Sequence, residues 1–116
     1  MRKFLLTLCV FISLSNYSNS QIVISQVYGG GGNSGATYTH DYIELFNRGT
    51  SAVSIAGWSI QYTSSAGTTW QKTDLSGTLL PGQYYLIQQA QGAGGTTALP
   101  TPDVTGTIAM LSLIHI

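Results

Sequence analysis

Hydrophobic and polar positions alternate most regularly between Asp41 and Ile60. Tyr42, Glu44 and Phe46 interleave with Ile43, Leu45 and Asn47, the period of two that lets one set of side chains face a core and the other face water or a second layer. Asn47-Arg48-Gly49-Thr50-Ser51 then supplies turn chemistry, because Gly and Asn accept positive φ and small hydroxyls bond the local backbone. The chain returns through Val53 and Ile55, turns at Ala56-Gly57, and leaves as Trp58, Ile60 and Tyr62 alternating with Ser59, Gln61 and Thr63. A large aromatic opening such a strand is expected to pack between two sheets.

The same reading places further strands at Gln21 to Tyr28, rich in β-branched residues, at Trp70 to Thr73, at Gln83 to Gln89 and from Thr105 to Met110. Pro81-Gly82 is a turn signal, with Pro setting φ at the first corner and Gly accepting positive φ at the second. Gly29 to Gly35 reads as a plain mobile loop. A phosphate-binding role would need a Lys-Ser or Lys-Thr pair, or a helix opening at its end, and a strand follows instead. Ala90 to Asp103, with Leu99-Pro100-Thr101-Pro102, is also loop. Five or six short strands without helical periodicity predict an all-β, antiparallel sandwich or barrel.

The first twenty residues stand apart. Arg2 and Lys3 precede an apolar run from Phe4 to Leu14, and Ser18-Asn19-Ser20 offers small residues for a cut before Gln21, the plan of a secretory signal peptide. The run is too short to span a bilayer, which takes about 20 apolar residues, so no membrane span is expected in the mature chain. Removal of this leader takes the only cysteine, Cys9, with it. Arg48 and Lys72 then face Asp41, Glu44, Asp74 and Asp103, a net charge of −2. Two cations cannot form the basic patch that nucleic-acid binding requires. A domain is expected over residues 21–110, on an exported, secreted or cell-surface protein.

Ile24-Ser25, Asp41-Tyr42-Ile43-Glu44-Leu45-Phe46-Asn47, Ala56-Gly57-Trp58-Ser59-Ile60 and Leu80-Pro81-Gly82-Gln83-Tyr84-Tyr85 occur in that order. In these motifs the chain resembles the lamin tail domain family in its bacterial secreted form. The family residues matched include Ile43, Glu44, Leu45, Asn47, Gly57, Trp58, Pro81 and Gly82; Gln26 stands where the family often has an acid. The resemblance implies an immunoglobulin-like β-sandwich with a non-catalytic role, as an interaction or surface-tethering module often found beside extracellular hydrolases. Leu111 to Ile116 carries a second resemblance, to the translation of a transposon-type sequencing adapter. Residues 111–116 are therefore expected to be non-native and the domain truncated at its C-terminus, as the N-terminal fragment of a longer protein.

Candidate chemistry is sparse. His40-Asp41 is the one His-carboxylate neighbour pair of the domain, but no G-x-S-x-G elbow supplies a nucleophile. His40 alone is too few ligands for zinc once His115 is set aside. Asp41, Glu44, Asp74 and Asp103 could offer oxygens to calcium, but their spacing forms no calcium loop. Glu44 has two readings: solvated on the outer face, or turned inward and held by donors or a cation. No enzyme activity and no cofactor are expected. The expected partner is a protein or cell-surface component, met by strand addition at a sheet edge or through an aromatic patch. A targeting role for a downstream hydrolase and carbohydrate binding through exposed aromatics are the alternatives.

Overall fold

The computed structural model describes residues 20–111 and the backbone of residues 114–115. The predicted leader, apart from Ser20, and most of the predicted non-native tail lie outside the described residues. Among those described, nine strands occur and no helix: β1 (Ile22–Tyr28), β2 (His40–Asn47), β3 (Val53–Ser54), β4 (Ser59–Ser64), β5 (Gln71–Asp74), β6 (Thr78–Leu79), β7 (Tyr84–Gln91), β8 (Val104–Thr105) and β9 (Ile114–His115). One sheet has the order β1-β2-β7-β8; the other layer consists of the pair β3-β6 and the sheet β5-β4-β9. The pairings are antiparallel except β7 with β8, where Ile87 and Gln88 run parallel to Val104 and Thr105.

The alternation through β2 is realised as drawn from the sequence. Ile43 and Leu45 point inward with Tyr85 and Ile87 of β7, and meet Ile55, Ile60, Tyr62, Leu75 and Leu79 from the other layer. This apolar layer, closed at one end by Ile108 and Met110, is the interior of an all-β, immunoglobulin-like sandwich.

Three expectations are corrected. Trp58 does not pack between the layers: it is 47% exposed. The turn Ile55 to Trp58, closed by the Trp58 amide on the Ile55 carbonyl with Gly57 at φ 81, ends before β4 begins. The fully buried Ile55 fills the interior there, leaving the indole at the rim. The strand expected from Thr105 to Met110 is also displaced, since β8 ends at Thr105 and side chains, described below, take over from the backbone ladder. Finally, Gly29 to Gly35 is not a plain loop. Gly31 and Gly32 are buried, and Gly32 donates to the Tyr38 carbonyl and accepts from Gly94.

Two glycine-rich loops thus lie backbone against backbone, and a Cβ on Gly32 would overlap the backbone of Gly92. Gly32 also has φ 69, a conformation that L residues adopt at a cost. Gly32→Ala is expected to lower the stability of the full chain by more than about 2 kcal/mol, read as a lower urea midpoint with an unchanged slope.

Candidate functional site

The family-motif residues have structural roles. Ile43 and Leu45 are core, and Gly57 and Trp58 form the rim turn before β4. Asn47 is fully buried. Its Nδ2 donates to the carbonyls of Ser51, at 2.9 Å, and Leu79, at 3.0 Å, while its Oδ1 accepts from the Gly49 amide at 2.9 Å. The Asn47 carbonyl also accepts from the Gly82 amide. The amide side chain therefore closes the turn after β2 and holds β6, while the main-chain carbonyl of the same residue seats the Pro81-Gly82 turn, where Gly82 has φ 73 as the sequence requires.

Asp41 lies at the other end of β2, pointing inward and only 5% exposed. Its Oδ1 accepts from the Gly31 amide and its Oδ2 from the Met110 amide, each at 2.8 Å. It joins the glycine-rich loop to the C-terminal segment across 69 residues of chain. Burial pushes the carboxyl above its ordinary value of 3.8; the amides of Met110 and Gly31 and the charge of His40 pull it part of the way back. Gln89 works beside it. Its Oε1 accepts from the Ile108 amide at 3.1 Å and its Nε2 reaches Thr73 Oγ1 of the opposite layer at 3.0 Å. These two side chains occupy the backbone donors of residues 108 and 110, which is why a segment expected as a strand has no continuous ladder. Gln89 escaped the sequence reading because nothing in an alternating Gln-rich strand marks which amide is inside.

The other carboxylates are scattered. Asp103 Oδ2 accepts from the Leu86 amide at 2.7 Å, and Asp74 pairs with Lys72 at 2.9 Å on the surface. Glu44 is half-buried on the outer face, where its Oε1 accepts from Ser25 Oγ at 2.7 Å. Among the described residues no three His, Cys, Asp or Glu side chains gather as metal ligands. His40 opens β2 with Nδ1 2.9 Å from Thr39 Oγ1, and its neighbour's carboxylate is turned inward to the two amides.

What the fold does assemble is a surface. A bulge between Ile24 and Gln26 resets β1 against β2, so the outer face of the sheet forms three cross-strand rows: Tyr28, Tyr42 and Gln88; Gln26, Glu44 and Leu86; Val23, Phe46 and Tyr84. Tyr28 stacks on Tyr42 at 5.2 Å and both meet Tyr38 edge-on, at 5.6 and 5.8 Å. Burial raises the Tyr42 hydroxyl pKa, and Tyr38, Glu44 and Tyr28 add to the rise. Phe46 and Tyr84 lie 4.6 Å apart, with Tyr84 57% exposed. Between the aromatic groups, Gln26, Tyr38, Tyr42, Glu44, Leu86 and Pro100 surround a cavity of about 140 Å³. A larger cleft of about 400 Å³ lies by Thr63, Gly67 and Ala109. Among the described residues its lining holds no charged side chain, so the outer face is the stronger candidate.

A sequence model of the Lamin Tail Domain matches residues 15–111. The chain belongs to the lamin tail domain family. No curated protein matches it. This lamin tail domain is an immunoglobulin-like β-sandwich of a family that is generally non-catalytic, and its motif residues Asn47, Pro81 and Gly82 meet in one hydrogen-bonded corner.

Replacing that corner amide is expected to be costly. Asn47→Asp removes two donors and places a carboxylate against the Ser51 and Leu79 carbonyls, so urea denaturation should show a loss of at least about 2 kcal/mol. Asp41 gives a pH signature. Its folded pKa is raised, so its contribution to stability is fully present below the unfolded value of 3.8 and is lost as pH rises through the folded value. Asp41→Asn should cost about 1–3 kcal/mol through a misdirected amide. Urea denaturation from acid to neutral pH should show the gap between wild type and variant narrowing as pH rises.

Proposed function

We propose that this lamin tail domain is a non-catalytic interaction module, exported behind its apolar leader, that binds a protein or cell-surface partner through the outer face of its four-stranded sheet. The observation that carries the reading is the surface itself: two aromatic groups flank a half-buried carboxylate on the outer face of the sheet. Interfaces concentrate Tyr and Trp in this way.

Strand addition, the other expected mode, is less well supported. A free edge invites pairing unless a bulge, charges or short length blunt it. Here β1 carries the bulge at Ser25, β5 exposes the Lys72–Asp74 pair, and β8 has two residues. Attachment of a hydrolase to its substrate or surface is compatible with the same face. Carbohydrate recognition is the second reading, favoured by the exposed Tyr84 ring beside Phe46.

Hydrogen–deuterium exchange of the full chain, with and without envelope material of the producing cell, tests the proposal. Protection is expected at Glu44, Phe46 and Leu86, and Tyr84→Asp should abolish retention on that material while leaving the melting curve within a few degrees of wild type. Protection confined to the free edge of β1, or retention unchanged by Tyr84→Asp, would overturn the outer-face assignment.

A further inference from the structure

The cavity in the middle row has a chemistry more specific than a general contact surface. Glu44, half-buried, is among the side chains that line it. None of the described His40, Arg48 and Lys72 lines it: Lys72 Nζ pairs with Asp74 Oδ1 at 2.9 Å, Arg48 Nε donates to the Ser20 carbonyl at 2.8 Å, and His40 Nδ1 lies 2.9 Å from Thr39 Oγ1. Ser25 Oγ occupies Oε1 at 2.7 Å, and Oε2 has no protein donor among the described hydrogen bonds. Tyr38, Tyr42, Leu86, Leu99 and Pro100 line the cavity with Glu44, as does the exposed Gln26.

We propose that this cavity seats the ammonium group of a lysine side chain presented by an extended segment of a protein partner. This rests on the outer face being the binding surface and names what that surface selects. The carboxylate supplies the opposite charge, and a tyrosine ring among the lining residues adds attraction for a cation where the cation meets its π-face. Leu86 and Pro100 match a lysine's methylene stem, which prefers apolar cover while its head finds a polar partner. The free oxygen also discriminates between cations. A guanidinium is best bound by two carboxylate oxygens at once, and Ser25 already engages one, whereas a compact ammonium needs a single acceptor. A divalent metal ion is poorly served, because one free carboxylate oxygen and tyrosine rings fall short of its six or more oxygen ligands.

The test titrates the full chain with three capped peptides that differ only at a central lysine, norleucine or arginine, followed by amide shifts in ¹H–¹⁵N spectra. The lysine peptide is expected to shift Glu44 and Leu86 and to weaken as salt is raised. Glu44→Gln, which keeps an oxygen for Ser25, should reduce lysine-peptide affinity by roughly tenfold or more, with circular dichroism and melting temperature unchanged. Equal binding of the norleucine peptide, tighter binding of the arginine peptide, or no shift at these residues with millimolar lysine peptide would each overturn the proposal. So would shifts there with a chitin oligosaccharide and none with the lysine peptide, which would assign a glycan site. Should the lysine peptide fail while envelope material still protects the outer face, the cation reading falls and the interaction module stands.

Discussion

Backbone amides left over where ladders stop must find acceptors if they are buried, and in this domain buried polar side chains provide them. Asn47, Asp41 and Gln89 do so for the amides of Gly49, Met110 and Ile108, at three places where the strands give way to turns or to the C-terminal segment. An orphaned buried amide costs about 1–3 kcal/mol, more than a typical hydrogen bond contributes in net terms. These side chains are therefore conditions for closing the sandwich. The apolar layer gives cohesion, and the polar ends give it one register.

That division of labour frees the outer face. Core cohesion comes from Ile43, Leu45, Tyr85 and Ile87 on the inward parity of β2 and β7, so the outward parity is not needed to hold the layers together. It nevertheless carries Tyr42, Phe46, Tyr84 and Leu86 in register across strands. Apolar residues repeated over a face that does not pack against the other layer are what the proposed binding role rests on. The single carboxylate among them gives that surface a sign.

Glycine serves a different end from the one its density suggests. The run Gly29 to Gly32 resembles a ligand-binding loop only in composition. In space it lies against Gly92 and Gly94, where the absence of a Cβ lets two backbones touch. The close pair anchors the base of the 92–103 loop, whose Pro100 walls the cavity. Loop packing at one end of the sheet thus shapes the candidate site at its centre.

The longer strands β1, β2, β4 and β7, the inward set on β2, the Pro81-Gly82 turn and the family were legible in the sequence, because period-two alternation and turn residues are local signals set by the covalent chain. Alternation could not show the bulge at Ser25, since an inserted residue changes parity without changing composition; the rows that place Gln26 beside Glu44 exist only after pairing. Nor could it show that Trp58 falls outside the core, because that depends on where the layer opposite it ends. Asp41 reads in the sequence as a stray carboxylate and Gln89 as one glutamine among several. Their roles were decided by partners up to 69 residues away, and long-range partnership of that kind is settled by the tertiary fold alone.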